Sequence, residues 1–147
     1  MREILFRGFY EYKNGKETTY INGKEIKGKW VYGDLVKCMT DNGECIGIKD
    51  TIYEVNTNRC NLIPNIVIPE TVGQFTGKTV KTGKAFEGDI GKSIDGLFLV
   101  RWSEEKSAFV MNFYDYPYEE LYLEEMWEDS EIIGNIHDNP ELLEVEK

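Results

Sequence analysis

Carboxylates are the side chains of this sequence best suited to metal-dependent chemistry. Asp34, Glu87 and Asp89 are the candidates, because two or three convergent carboxylates can hold the Mg²⁺ ion of a hydrolase. The chain has no Asp-x-Asp pair and no Glu-x-x-His pattern to bring metal ligands together. A metal-dependent hydrolase is therefore an alternative hypothesis, and the sequence predicts no metal site and no cofactor.

Nucleophilic catalysis has little support in the sequence. A serine or cysteine nucleophile generally needs an activating base, most often histidine, and His137 is the only histidine. It precedes Asn139 and Pro140, where a turn residue is the simpler interpretation. No phosphate-binding glycine pattern of the GxxxxGK[ST] or GxGxxG type occurs. We predict no catalytic residue.

A small basic and aromatic group suggests nucleic-acid binding as a second alternative. It comprises Lys78, Lys84, Arg101 and Trp102, and cations beside an aromatic ring suit a single nucleic-acid strand. The charge distribution argues against this function. Residues 103–147 hold two lysines against fourteen acidic residues, and acidic surfaces repel phosphates. A nucleic-acid partner is therefore not expected, whereas a basic protein partner suits this part of the chain.

The polar segment from Ile68 to Gly77 supplies the first candidate contact residues. Proline and glycine punctuate it, so we interpret it as a connector that exposes Glu70, Thr71 and Gln74. Arg101 and Trp102 complete the candidate interaction surface. The sequence leaves the chemistry of the partner open.

Cysteine usage and hydropathy indicate the compartment. Cys38, Cys45 and Cys60 have neither the spacing of a zinc knuckle nor the even number of a disulfide framework. Apolar runs are far shorter than the roughly 18 residues of a membrane span. We expect reduced thiols, no membrane contact and a cytoplasmic location.

Short strands separated by Gly, Asn and Asp turns predict a mainly β fold. We expect a small SH3-like barrel or a bent antiparallel sheet. The sequence predicts a three-strand meander from Ser93 to Phe113, with a hairpin turn at Asp95-Gly96. Apolar residues at three- and four-residue spacing predict a helix over about residues 117–127, and Asn139-Pro140 predicts a second short C-terminal helix.

An internal similarity joins the two halves of the sequence. Gly33-Asp34-Leu35 is echoed by Gly88-Asp89-Ile90. In small barrels a Gly-Asp pair commonly opens a strand, with the carboxylate bound to loop amides, so a structural role is preferred for both aspartates. Whether the two segments are a true repeat stays open, since so short a similarity is weak.

Several segments together carry a family resemblance. They are Phe6-Arg7-Gly8, Trp30 to Leu35, Ile68 to Gly77, Phe86 to Ile90, Leu99 to Trp102 and Ile133 to Ile136. With these segments the chain resembles the YopX family of phage and prophage proteins. The resemblance implies an origin among the accessory genes of bacterial viruses and implies no particular activity.

These observations lead to one functional hypothesis and its alternatives. A chain of 147 residues is sized for a single domain, residues 1–147, with a possible N-terminal β lobe at 1–60. We predict a non-enzymatic protein-interaction module that binds a host or phage protein. Exposed strand edges also favour a homo-oligomer.

Overall fold

The chain forms two compact units of antiparallel strands. The structure, a computed structural model, describes residues 3–41, 43–49, 64–116, 119–123 and 129–143. The units are Met1–Gln74 and Phe75–Lys147. The prediction of a mainly β fold is confirmed.

The first unit is built on one open sheet. Its strands are β1 (Phe6–Glu11), β2 (Glu17–Ile21), β3 (Lys24–Thr40), β4 (Gly43–Lys49), β5 (Asn65–Ile66) and the first half of β6 (Ile68–Val80). The order is β5-β4-β3-β1-β6, and β2 pairs with β3. The long strand β3 pairs with β1 and β2 in its first half and with β4 in its second half.

A tight turn at Asn22-Gly23 sets the register of β2 against β3. Both residues have positive φ, 50° and 79°, which glycine and asparagine tolerate best. Ile21 consequently pairs with Lys24 across the turn.

The first unit has buried side chains on both faces of its sheet, because Val31 pairs with Gly8 and Phe9 pairs with Trp30. Val31, Ile48 and Val67 form a cluster contributed by β3, β4 and the segment before β6. Phe9 is fully buried on β1, and its ring meets Trp30 edge to face at 5.5 Å between centroids. Apolar burial of this kind is the main term that holds such a sheet together.

The second unit holds a five-stranded sheet and a hairpin. The second half of β6 pairs with β7 (Gly83–Phe86). The other strands are β8 (Asp89–Ser93), β9 (Gly96–Ser103), β10 (Ala108–Phe113), β11 (Glu120–Tyr122) and β12 (Glu131–Asn135). Their order is β11-β10-β9-β8-β12, so β9 is the central strand.

The predicted meander is confirmed as β8-β9-β10. Ser93 pairs with Gly96, so the two residues between them, Ile94 and Asp95, form the turn. Gly96 has a φ of 120°, a conformation that side-chain-bearing residues rarely adopt. The glycine of the Asp-Gly signal therefore begins the strand after the turn.

The main apolar cluster of the second unit lies on one face of this sheet. Its buried side chains are Phe98, Val100, Met111, Phe113 and Leu123. They alternate along β9 and β10 with residues of the opposite face, as the two-residue period of a strand requires. The rings of Phe98 and Phe113 are 5.5 Å apart between centroids.

The barrel alternative is wrong. Within the described ranges both sheets remain open, the first sheet ending at β5 and the second at β11 and β12. The antiparallel pairing of the other alternative is confirmed, with the strands divided between two sheets.

The helix predicted over residues 117–127 is wrong where Glu120–Tyr122 is described, because that segment is strand β11, paired with β10. The second predicted helix, at Asn139-Pro140, is present only as the short 3-10 turn Pro140–Leu143. The Asn139 side chain accepts a hydrogen bond from the Asn135 amide, so it provides a partner for a backbone N–H of the preceding turn. The rest of 117–127, except Glu119 and Leu123, lies outside the described residues.

The two Gly-Asp segments occupy different structural positions. Gly33 and Asp34 lie in the middle of β3, with Asp34 opposite Lys49. Gly88 lies in the turn after β7, and Asp89 opens β8. The predicted strand-opening role is therefore seen at Asp89 and not at Asp34.

Candidate functional site

The five residues of the sequence-predicted interaction surface divide between the two units. Glu70, Thr71 and Gln74 lie on the first half of β6, and Arg101 and Trp102 lie on β9. Glu70 is exposed and Gln74 is half-buried. Thr71 is only 1% exposed, so its side chain is not available to a partner.

Thr71 instead joins β6 to β1. The Phe9 amide donates to Thr71 Oγ1 at 2.8 Å, and Thr71 Oγ1 donates to the Ile68 carbonyl at 2.6 Å. The register of the two strands shifts between Arg7 and Phe9. The hydroxyl therefore replaces a backbone acceptor at an irregular point of the ladder.

Arg101 belongs to a polar network on the face of the second sheet opposite the Phe98 cluster. Its guanidinium forms an ion pair with Glu120 and also donates to the Trp102 carbonyl at 3.3 Å. The second oxygen of Glu120 accepts from Ser103 Oγ at 2.6 Å. This network joins β9 to β11, so Arg101 acts as a structural cation rather than an open contact residue.

Trp102, the next residue on β9, keeps a partly exposed ring on the opposite face of the sheet from this network. It is 39% exposed, and it meets Phe109 edge to face at 5.1 Å between centroids. Of the predicted contact residues in the second unit, Trp102 is the one with free aromatic surface.

The candidate carboxylates of the hydrolase hypothesis have different environments. Asp34 is exposed on β3 in the first unit, whereas Glu87 and Asp89 lie in the second unit. Asp89 is buried and its Oδ2 accepts from the Phe86 amide at 2.7 Å. Within the described ranges no three His, Cys, Asp or Glu side chains group closely enough to hold a metal ion.

We expect Asp89→Asn to lower the free energy of unfolding by about 1–2 kcal/mol, because the charge-assisted bond to the Phe86 amide becomes a neutral one. Urea denaturation measures the change. Asp34→Asn is the matched control at an exposed carboxylate and should change the stability by less than about 0.5 kcal/mol. Equal effects of the two variants would contradict the structural role of Asp89.

The lysines of the nucleic-acid hypothesis lie on the hairpin of the second unit. Lys78 is on β6 and Lys84 is on β7. The ammonium of Lys84 lies 5.3 Å from the ring centroid of Phe75, which is within cation–π range. This lysine is therefore already engaged with an aromatic face of its own hairpin.

A polar cavity of about 330 Å³ opens beside β8 and β12. Its lining residues are Lys81, Lys92, Ser93, Asp129, Ser130 and Glu131. Two cationic side chains face two carboxylates, so the lining offers no net charge to attract an ionic substrate.

Sequence reasoning missed an exposed surface at the end of the meander. The β8-β9 turn contributes Ile94 and Asp95, and the segment after β10 contributes Tyr114, Asp115 and Tyr116. We call these five residues the acidic–aromatic tip. Their apolar members are well exposed, at 86% for Ile94, 40% for Tyr114 and 55% for Tyr116.

Backbone contacts bring the two parts of the tip together. The Tyr114 amide donates to the Leu97 carbonyl at 3.0 Å, which continues the register of β10 against β9. A Cβ atom built on Gly96 would lie 3.6 Å from Asp115 Oδ2. Asp115 therefore lies beside the β8-β9 turn.

A compact turn then presents the tyrosines. The Tyr116 amide donates to the Phe113 carbonyl at 3.3 Å, and the Glu119 amide donates to the Tyr116 carbonyl at 2.9 Å. The aromatic run from Phe113 to Tyr116, directly after a predicted strand, is the sequence signal that marks this surface.

The described residues thus define an antiparallel β protein of two compact units with an exposed acidic and aromatic surface on the second. The family model described as YopX protein matches residues 6–144, which is nearly the whole chain. The chain belongs to the YopX family, and the resemblance noted in the sequence is confirmed. A comparison with curated proteins finds no match. In the part of the chain that the structure describes, no helix is long and apolar enough to cross a membrane.

Proposed function

We propose that the chain is a non-enzymatic protein-interaction module of phage or prophage origin. It binds a basic segment of a host or phage protein through the acidic–aromatic tip. The observation that carries the proposal is the exposure of Ile94, Tyr114 and Tyr116 beside two carboxylates. Membership of the YopX family supports the origin.

The composition of the tip suits a protein partner. Tyrosines combine a large apolar ring with a polar end and are enriched among the residues that contribute most to binding. Such rings also accept cations on their faces. Ile94 adds apolar area that a flat charged surface would lack.

Charge complementarity favours a basic partner. Asp95 and Asp115 flank the tip, and residues 103–147 carry a large excess of acidic over basic residues. Opposite charge speeds the encounter and excludes acidic competitors. A segment that alternates lysine or arginine with apolar residues fits both properties of the tip.

The test is a comparative capture experiment with nuclease-treated bacterial lysate. Wild-type protein, the double variant Tyr114→Ala/Tyr116→Ala and the control Tyr20→Ala serve as baits. Tyr20 has nearly the same exposure as Tyr114 but lies on β2 in the first unit. We expect a basic protein retained by wild type and Tyr20→Ala to be lost from the double variant.

The retained protein is then titrated with each purified bait. We expect the double variant to raise Kd at least about tenfold, because tyrosine is enriched among the few interface residues whose truncation costs about 2 kcal/mol or more. Asp95→Asn/Asp115→Asn should slow association and weaken its dependence on salt. A partner retained equally by the double variant, or retained only without nuclease, would contradict the proposal.

A further inference from the structure

Cys38 and Cys45 face one another across the β3-β4 hairpin. Cys38 pairs directly with Cys45 in the antiparallel register. Both side chains are half-buried, and both thiols are free. The Cys45 thiol donates to the Cys38 carbonyl at 3.4 Å, so it already points across the ladder.

We propose that this pair is a redox-sensitive modification site that closes reversibly into a cross-strand disulfide when it meets a small-molecule disulfide. The proposal concerns the first unit and is independent of the acidic–aromatic tip. It also goes beyond the reduced cysteines expected from the sequence.

The spacing of an antiparallel ladder permits the bond. Directly opposed residues have Cα atoms about 4.5–5.5 Å apart, and disulfides accept about 4.4–6.8 Å. Their Cβ atoms are about 4.5–5.5 Å apart, slightly more than the usual range of about 3.5–4.5 Å in a disulfide. Closure must draw the strands together, which favours a readily reduced bond over a permanent one.

The Cys38 sulfur lies over β4 beside Gly47, two residues along that strand from Cys45. A Cβ atom built on Gly47 would lie 3.1 Å from Cys38 Sγ and 2.9 Å from Pro64 Cβ. The missing side chain of Gly47 therefore provides the space that the sulfur occupies. The sulfur lies over the same strand, β4, that carries Cys45.

Closure takes place in two thiol–disulfide exchanges. One protein thiolate attacks a sulfur of the small molecule R–S–S–R, which forms a protein–S–S–R bond and expels R–S⁻. The second protein thiolate attacks the protein sulfur of that bond and expels the other R–S⁻. The protein loses two electrons, the small-molecule disulfide gains them, and the two thiol protons pass to the departing thiolates.

Closure should be slow at neutral pH and faster in alkali. Half-burial raises the pKa of the Cys45 thiol, and the neighbouring Cys38 thiol and the Glu44 carboxylate raise it further, whereas the Thr40 side chain lowers it. Among the charged groups of the hairpin, Lys37 pairs with Glu44, and Asp34 lies opposite Lys49. The thiolate is the attacking form, so the rate rises with pH until Cys45 is ionised.

Peptide mapping of the full-length protein tests the proposal. The protein is incubated with oxidised glutathione, its free thiols are alkylated, and it is digested with trypsin and a glutamate-specific protease. Cleavage after Lys37, Glu44 and Lys49 leaves two cysteine peptides that only a Cys38–Cys45 bond can join. We expect this joined pair, alkylation of Cys60, and release of both peptides by a reducing agent.

Single cysteine-to-serine variants distinguish formation of the Cys38–Cys45 disulfide from simple reaction of one thiol with glutathione. In Cys38→Ser the intermediate has no second thiol across the ladder, so a lasting glutathione adduct is expected on Cys45. Cys60→Ser should close the Cys38–Cys45 bond like the wild type. Alkylation of both cysteines, lasting adducts on both in the wild type, or pairing with Cys60 would each overturn the proposal.

Discussion

Phe98→Ala is expected to lower the free energy of unfolding of the second unit by about 3–5 kcal/mol, as buried phenylalanine truncations commonly do. Phe98 is fully buried on the central strand β9 and packs with Phe113 in the main cluster of that unit. Removing its ring leaves a cavity that the paired strands on either side cannot fill by moving. Urea denaturation followed by near-UV circular dichroism measures the loss.

The neighbouring strand β8 limits the space that the Phe98 ring can occupy. A Cβ atom added at Gly91, opposite Phe98 on β8, would overlap the Phe98 ring. Gly91→Ala is therefore expected to cost about 1–3 kcal/mol through overpacking. In Phe98→Leu the ring is gone, so the same alanine should cost less.

A double-mutant cycle tests whether Gly91→Ala is costly because of the Phe98 ring or because the sheet is generally sensitive to substitution there. We expect a coupling energy above about 0.5 kcal/mol between Gly91→Ala and Phe98→Leu, since residues in contact are rarely additive. Leu97→Ala is the matched control on the same strand, because Leu97 is only half-buried. Additive effects at Gly91 and Phe98 would contradict the packing described above.

The meander could be predicted because its signals are local. An Asp-Gly pair between two apolar runs predicts a hairpin from adjacent residues alone. Asn22-Gly23 marks the β2-β3 turn in the same way. Where turn residues and strand residues are neighbours in sequence, the pattern contains the information that fixes the structure.

Strand β11 could not be predicted from its own residues, because the partners that fix it, on β10 and at Arg101 and Ser103, lie 8 to 19 positions earlier in the sequence. Leu121 and Tyr122 have neighbours at helical spacing, and the local pattern favours a helix. The structure instead pairs the segment with β10 and joins Glu120 to Arg101 and Ser103. Tertiary pairing outweighs a weak local preference in so short an element.

The exposure of the candidate contact residues could be predicted less well than the fold. The sequence identifies Glu70 and Trp102 as polar or aromatic residues, but it cannot show that Thr71 and Arg101 are used internally. It also misses the tip, because Ile94 and Tyr116 come together only through the pairing of β8, β9 and β10. The exposure of a side chain depends on how the whole sheet pairs, whereas the sequence shows only the residue type at each position.

The segment around Thr71 depends both on local sequence signals and on a contact with a residue distant in the sequence. Its proline and glycines predict a turn-rich connector, but this prediction is wrong, since Ile68–Val80 is one strand of 13 residues. Pro69 is tolerated near the start of this strand. Phe75 is buried, while Thr71 binds the Phe9 amide, 62 positions away in sequence.

Thr71→Val is consequently expected to lower the free energy of unfolding of the first unit by about 2–3 kcal/mol. Valine keeps the volume of threonine but offers no acceptor to the buried Phe9 amide and no donor to the Ile68 carbonyl. Thr71→Ser keeps the hydroxyl and loses one methyl group, so it should cost no more than about 1.5 kcal/mol.

Hydrogen exchange at the Phe9 amide distinguishes this bond from simple packing. Without the Thr71 hydroxyl the amide has no partner at the irregular point of the β1-β6 ladder, so its protection should fall more than that of amides on β3. Thr71→Ser should preserve the protection. If serine proved more damaging than valine, the methyl group rather than the hydroxyl would join β6 to β1, because only the packing contact would then have been lost.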